Sequence, residues 1–163
     1  MHKNPKLFTF EEFADELMAE HQPRALIILA SSQIDIQLRN LVEGFIWPKT
    51  NKANDVDELL DGDSPLSTFS SRIKIAIRLG LIDAPLANAL NKLREIRNHA
   101  AHWTMFGVAI PPLRDKLKHL QTLIMHRRSY HLTVLKFYGN EELNETESLQ
   151  AMLLTFSALL ASI

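Results

Sequence analysis

The sequence predicts an all-α fold, and three observations lead to this class. Apolar residues recur at intervals of three and four in most segments, which is the spacing of a helix face. Helix-start signals precede several of these segments, and glycine or proline separates them. The chain has 163 residues, 46% hydrophobic and 23% charged, which suits one domain over 1–163 with a substantial core. We therefore expect a single-domain bundle of about six or seven helices.

The N-terminal part of the chain begins with two predicted helices. Thr9 and Glu12 have the spacing of a capping box, which begins a short amphipathic helix. Pro23 suits the first turn of a second helix that extends to Phe45 or close to it. Because this second helix is apolar around most of its circumference, we expect it to be the central, mostly buried helix.

Charged residues occupy the remaining edge of the second helix. Asp35, Arg39 and Glu43 follow one another at intervals of four, a spacing at which side chains can pair along a helix surface. A solvated strip is the simpler interpretation of this edge, and it is the one that we favour from the sequence.

The central part of the chain is predicted to hold two more helices. A short helix over residues 56–60 is expected to stop at Gly62. Ser64 and Pro65 have the order of an N-cap and a first-turn residue, so a fourth helix is expected to begin there. Gly80 lies where a left-handed residue would end that helix. The core face of the fourth helix would consist of Leu66, Phe69, Ile73, Ala76 and Ile77.

The C-terminal half contains the remaining predicted helices. Asp83 is expected to cap the fifth helix, and after a loop the next helix covers residues 113–125. Residues 127–140 fit a strand or a helix, and we favour the helix. Asn144 and Glu147 have the spacing of a second capping box, which begins the final helix.

The composition limits the classes of function. A formal net charge of −1 gives no global basic field that would attract DNA or anionic lipid. The chain has no cysteine, which excludes disulfides, thiolate zinc sites and a cysteine nucleophile. The first residues lack the apolar run of a signal peptide, and no segment has the length and purity of a membrane span. These observations predict a soluble, cytoplasmic protein.

One stretch places charge where a helix should be apolar. An apolar stripe on the fifth helix consists of Leu86, Ala89, Leu90, Leu93, Ile96 and Ala100. Arg97 falls within that stripe by helical spacing, and Asn98, His99 and His102 follow it closely. A guanidinium at such a position either pairs with a carboxylate or carbonyl, or lines an interface or pocket. Arg72 and its basic neighbours on the preceding helix form either a basic side near Arg97 or a solvated face.

Residues 58–82 resemble the signature block of the mannitol operon repressor family. They read E-L-L-D-G-D-S-P-L-S-T-F-S-S-R-I-K-I-A-I-R-L-G-L-I. That family has an L-L-x-G-x-x-P-L stretch, a basic amphipathic helix and an L-G turn before isoleucine, in this order. The resemblance implies an all-α bacterial regulator of transcription that lacks an obvious DNA-binding motif.

Residues 97–102, R-N-H-A-A-H, are similar to the R-x4-H motif of HEPN domains. HEPN proteins are helical bundles, and many are metal-independent ribonucleases that act as dimers. The resemblance implies that Arg97 holds the scissile phosphate, that His102 is the general acid or base, and that Asn98 positions one of them. Arg97 and His102 are about 140° apart on a continuous helix. They can converge only if the helix ends between them or a second subunit contributes.

Two other interpretations have less support in the sequence. Gly80 between two helices has the layout of a helix-turn-helix, but the second helix begins D-A-P-L-A-N-A-L. This start places an acid and apolar residues where groups that contact bases and phosphates are needed. Glu95, His99 and His102 could present three metal ligands along one helix face, but no further ligand cluster accompanies them. We expect neither a metal nor a cofactor.

The sequence therefore favours a mannitol operon repressor-like regulator that acts through protein contacts. The alternative is a HEPN-type ribonuclease or RNA-binding module, and a third interpretation is a small metabolic enzyme that binds a carboxylate or phosphate at Arg97. The expected partner is a protein, and sequence-specific DNA binding is not expected. A homodimer is also expected, because the second and last helices offer more apolar surface than a small bundle buries.

Overall fold

A computed structural model describes residues 7–46, 57–107, 110–139 and 142–163, which form seven α-helices and no strand. The predicted all-α class is confirmed, and the ambiguous segment after residue 127 is helical. No helix in these ranges is long and apolar enough to cross a membrane. In chain order the helices are α1 Phe10–Ala19, α2 Pro23–Phe45, α3 Phe69–Arg78, α4 Ala84–His102, α5 Pro111–Ile124, α6 Arg128–Tyr138 and α7 Glu145–Ala161.

Local start and stop signals account for most helix ends. The capping boxes that begin at Thr9 and Asn144 are both present. Asp83 accepts a hydrogen bond from the backbone of the first turn of α4, at 2.7 Å. Pro23 occupies the first turn of α2, and Gly80 has a φ of 70°, the left-handed conformation that ends α3 at low cost. These predictions are confirmed.

The segment before α3 differs from its prediction. Val56 lies outside the described residues, and residues 57–60 form a turn where the sequence predicts a short helix. The Asp57 carboxylate accepts hydrogen bonds from the backbone N–H groups of Leu59 and Leu60, at 2.8 and 3.0 Å. An aspartate that binds neighbouring backbone groups in this way competes with helix formation.

Helix α3 begins later than the sequence predicts. Pro65 lies in a turn, and the helix starts at Phe69. Thr68 accepts a hydrogen bond from the backbone N–H of Ser71 at 3.1 Å, and the Ser71 hydroxyl accepts one from the backbone N–H of Thr68 at 3.2 Å. This reciprocal pair satisfies two N–H groups at the helix start. It therefore sets the boundary in place of the Ser64–Pro65 pair.

Two helices share the centre of the bundle. Helix α7 packs against α1, α2, α5 and α6, and every residue from 149 to 157 is buried. Helix α2 packs against α1, α3, α4 and α7. The expectation that α2 is the central helix is thus only half right, because α7 is enclosed on all sides over its middle turns. Most of the apolar surface of both helices is covered within one chain, which removes the sequence-based reason for a dimer.

Gln150 of α7 joins the ends of α1 and α6 to the core. Its buried side-chain amide donates to the carbonyls of Leu17 and Glu20, at 3.1 and 2.9 Å, where α1 ends. Its oxygen accepts a hydrogen bond from the Tyr138 hydroxyl at 3.0 Å. The last carbonyls of a helix have few partners within that helix, and α7 supplies a further donor to Leu17 and a donor to Glu20.

Candidate functional site

The three predicted site residues lie in the last two turns of α4. Arg97 is exposed, and its Nη1 is 3.5 Å from the side-chain oxygen of Asn98. His102 is also exposed and is the last residue of the helix. The structure thus gathers the three residues at one end of α4, with the arginine and the histidine both open to solvent.

Arg97 does not lie in the buried stripe, contrary to the sequence prediction. Leu93, Ile96 and Ala100 around it are buried, whereas Arg97 is exposed. Helix α3 has ten residues and α4 has nineteen, so α3 spans about 15 Å against about 28 Å for α4. The shorter helix cannot cover α4 as far as its C-terminal end. Helical spacing identifies the face of a residue but not how far a neighbouring helix extends.

Arg24 of α2 fixes the chain that leaves α4. Its Nη2 donates to the carbonyl oxygens of Trp103 and Thr104, at 2.6 and 3.2 Å, and its guanidinium lies 5.6 Å from the centre of the Phe106 ring. Trp103 in turn stacks on His99 with ring centres 4.3 Å apart. The end of α4 is therefore held by an arginine of another helix, a role for which the sequence offers no local signal.

The geometry of α4 restricts what Arg97 and His102 can do together. The helix is continuous from Ala84 to His102, so the two side chains leave it about 140° apart. A general acid or base must come within hydrogen-bond reach of the same substrate group that the arginine holds. Within one chain the helix does not provide this convergence, so a second chain would have to contribute one of the residues. Their role in RNA cleavage stays a prediction.

Arg72 is the arginine that meets the description given to Arg97. It is 7% exposed, and it forms an ion pair with Asp35 of α2 at 2.8 Å. It also donates to the carbonyls of Leu60 and Leu66, at 2.9 and 3.0 Å. The interpretation of Arg72 as part of a solvated face is wrong, whereas its nearness to Arg97 agrees with the influence of both arginines on Asp35. A signal existed, because Arg72 lies three residues after Phe69 on the apolar face of α3.

The predicted core face of α3 is corrected at the same time. Ile73 and Ala76 are buried, but Ile77 is 37% exposed. The buried face of α3 is therefore turned toward Arg72 and away from Ile77, in comparison with the face that the sequence predicts. Burial is the largest influence on the Asp35 carboxyl and raises its pKa, although Arg72 and then Arg97 act in the opposite direction.

The charged edge of α2 is a set of ion pairs and not a solvated strip. Arg39 donates to both carboxylate oxygens of Asp61, each at 2.9 Å, and to Glu43 at 2.8 Å. Burial opposes the ionisation of Asp61, but the bonds from Arg39 and from the backbone N–H of Asp57 outweigh it and lower its pKa. Residues of the 58–82 block thus bind α2 through Asp61 and Arg72, which gives that block a structural role.

Two of the three residues considered as metal ligands, Glu95 and His99, contact other side chains. Glu95 pairs with Lys92 at 2.8 Å and with Lys116 of α5 at 3.4 Å. His99 stacks on Trp103. The described ranges contain no group of three or more histidine, aspartate or glutamate side chains placed to hold a metal ion.

A groove of about 390 Å³ lies between α5 and the start of α7. Leu117, Leu149 and Met152 are among its apolar lining, and Arg114 and Lys118 are its two cationic residues. Its volume is within the range of small-molecule sites. None of the predicted site residues Arg97, Asn98 and His102 lines this groove.

Comparisons with known proteins give structural matches only. No protein-family model matches the chain, and no curated protein matches it in sequence. A crystal structure of a possible transcriptional regulator, YggD from Shigella flexneri 2a str. 2457T, superposes with a TM-score of 0.68 at 13% identity, over 95% of this chain and 98% of that chain. A chain of the MtlR–HPr complex from Escherichia coli superposes with a TM-score of 0.66 at 18% identity, over 93% and 96%.

These matches concern the fold. Both cover almost the whole of each chain, so the order and packing of the helices are shared from end to end and not only in a local motif. The fold that the resemblance of residues 58–82 implies is therefore found in the structure. Neither match tests the R-x4-H interpretation of residues 97–102.

Proposed function

We propose that this protein regulates transcription by binding a protein partner and not by reading DNA through a helix. The observation that carries the proposal is the end-to-end structural likeness to YggD, described as a possible transcriptional regulator, and to a chain of the MtlR–HPr complex. The second of these structures is a complex between two proteins, MtlR and HPr. The resemblance of residues 58–82 to the mannitol operon repressor family supports the same function.

The surface at the start of α4 supports the exclusion of a helix-turn-helix mode. The exposed residues from the N-cap through the first turns of this helix are Asp83, Ala84, Pro85 and Asn88. Only Asn88 and Asp83 among them have side chains that can read a base edge in the major groove, and none of the four is a cation. Asp83 also forms an ion pair with Arg127 at 2.8 Å. The charge of this nearby arginine is therefore already paired with a carboxylate. In the major groove, a helix with this surface would bring the Asp83 carboxylate toward the negatively charged phosphates. The Asn88 amide would be its only amide for selecting a sequence.

The test measures protein and DNA binding with the same sample. Escherichia coli HPr is the first partner to titrate, by calorimetry, because a structural relative is found in complex with it. We expect a saturable complex with HPr. Weak, non-selective binding is expected for duplex DNA at physiological salt, since the net charge is −1. Absence of heat with HPr at two well-separated temperatures would reject this partner, because binding that buries apolar surface has a heat-capacity change and cannot be heatless at both. Nanomolar, sequence-selective binding of an operator fragment by the chain alone would reject the proposed mode of action.

A further inference from the structure

The outer face of α6 is an apolar and basic stripe that nothing in the described part of the chain covers. Leu132 and Leu135 are 53% and 58% exposed. Arg128, His131 and Lys136 are exposed on the same face, at the intervals of three and four that form a helix stripe. We call these five residues the α6 stripe. Exposed apolar side chains grouped in this way mark an interaction surface.

The outer face of α1 carries the opposite charge beside that stripe. Glu11, Asp15 and Glu16 are all exposed. The two helices meet where α6 ends: the rings of Phe10 and Phe137 are 6.2 Å apart between centres, and the Tyr138 hydroxyl is 3.0 Å from the sulfur of Met18. Lys136 lies at this seam, with its Nζ 5.3 Å from the Phe10 ring centre and 5.2 Å from that of Phe137. The molecule therefore presents the acidic side chains of α1 near the α6 stripe, in which apolar and basic side chains are interleaved on one helix.

The charge asymmetry extends beyond these side chains. Residues 7–46 contain seven acidic and two basic residues, whereas residues 110–139 contain one acidic and six basic residues. The two helices also match in length, since ten and eleven residues correspond to about 15 and about 16 Å. A surface of this kind complements a rotated copy of itself.

We infer that the α6 stripe is the interface of a two-fold homodimer, with the occupant of each stripe being α1 and α6 of a second copy. A two-fold axis lays the basic stripe of one copy along the acidic face of α1 in the other, twice over. Leu132 and Leu135 of the two copies meet near the axis and lose their contact with water. This dimer does not use α2 or α7, and it does not depend on the regulatory function proposed above.

The inference also bears on the R-x4-H motif. Helix α6 packs against α7, whereas α4 packs against α2, α3 and α5. Neither Arg97 nor His102 belongs to the helices that form the proposed interface. The proposed dimer therefore does not bring the R-x4-H motif of one copy to that of the other, as RNA cleavage would require.

Sedimentation and light scattering of the full chain test the interface. We expect wild-type protein to be a dimer at tens of micromolar, an order of magnitude typical of a modest interface, with weaker association at high salt. The double variant Leu132→Glu, Leu135→Glu should be monomeric. Leu79→Glu is the matched control, because Leu79 is 44% exposed at the end of α3 and should leave the dimer intact. A wild-type monomer at about 100 μM, or a dimeric leucine double variant, would overturn the inference.

A charge exchange separates a second copy from any other occupant. One variant carries Arg128→Glu and Lys136→Glu, and the other carries Glu11→Lys and Asp15→Lys. Each variant alone brings like charges together and should be monomeric, whereas an equimolar mixture restores both contacts and should give a heterodimer. A mixture that stays monomeric while both variants melt like wild type would contradict self-association through this face.

A thiol probe gives an independent measurement that needs no loss of stability. The natural chain has no cysteine, so Leu135→Cys introduces a single thiol beside the proposed axis. Under mild oxidation it should form a covalent dimer faster than Leu79→Cys, because a disulfide requires the two Cβ atoms to approach within about 4 Å. Equal rates for the two variants would reject the interface.

Discussion

Arg72 joins Asp35 by a 2.8 Å ion pair between α3 and α2, and the same guanidinium binds the carbonyls of Leu60 and Leu66. One side chain thereby connects two helices and the irregular segment that precedes α3. Two carbonyls and a carboxylate would lose their donor if it were removed. The stability of this half of the bundle should depend on it strongly.

Replacement of Arg72 by alanine should lower the free energy of unfolding by about 2–4 kcal/mol, since the half-buried carboxylate of Asp35 and two carbonyls lose their donor. Lys74→Ala on the same helix is the matched control. Lys74 is exposed, and its removal should change stability by less than about 0.5 kcal/mol. Urea denaturation measures both. Similar midpoints for the two variants would contradict the structural role given to Arg72.

Asp61 should contribute stability that disappears in acid. Although burial opposes its ionisation, its bonds from Arg39 and the Asp57 backbone lower its pKa below the ordinary value of 3.8. A carboxyl with a lowered folded-state pKa stabilises the protein above its unfolded-state pKa and loses that contribution as the pH falls. The stability difference between wild type and Asp61→Asn should therefore be large at pH 6 and shrink as the pH falls below 4. A difference that is constant over this range would disprove the linkage.

Tyr138 should make the bundle sensitive to alkali. Burial, followed by the charge of Glu147, raises the pKa of its hydroxyl well above 10.0. A group with a raised folded-state pKa gives stability that is complete below its unfolded-state pKa and is lost as the pH rises beyond it. Tyr138→Phe should cost about 1 kcal/mol at neutral pH through the lost bond to Gln150. Above pH 10 the variant should lose less stability than wild type, and parallel alkaline losses would refute this account.

Arg97→Ala and His102→Ala should each leave the melting temperature almost unchanged, because both side chains are exposed. We expect the wild-type protein not to cleave single-stranded RNA without metal, since the continuous α4 separates the two groups. Incubation of RNA with wild type and both variants, with melting curves on the same samples, provides the measurement. Cleavage by wild type that is lost in both variants would establish the HEPN interpretation against this expectation.

Local signals in the sequence were sufficient where neighbouring residues decide the structure. The capping residues Thr9, Asp83 and Asn144 and the left-handed Gly80 act within one turn, and all lie where the sequence predicts them. The sequence predicts a helix where residues 57–60 form a turn, because the Asp57 carboxylate binds the backbone N–H groups of Leu59 and Leu60. The spacing of apolar residues gives no sign that a side chain competes with the helix for backbone N–H groups.

The burial of the arginines in the candidate site depends on neighbouring helices, so the sequence of one helix cannot predict it. Helical spacing assigned burial to Arg97, but the extent of α3 decides that this position is open. The same reasoning treated Arg72 as a surface residue, although its partners come from α2 and from residues 60 and 66. Arg24 binds a carbonyl 79 residues away. Contacts over such separations depend on how the helices are arranged.

The position of α7 has a consequence for how the protein is made. A ribosome synthesises the chain from its N-terminus, so α1 to α6 emerge before the helix that they surround. Until α7 follows, the carbonyls at the end of α1 lack the Gln150 donor, which lies 133 residues beyond Leu17, and the residues that face positions 149–157 have no partner. Exposed apolar surface of this kind favours aggregation and chaperone binding. The bundle can close only after its last helix has left the exit tunnel.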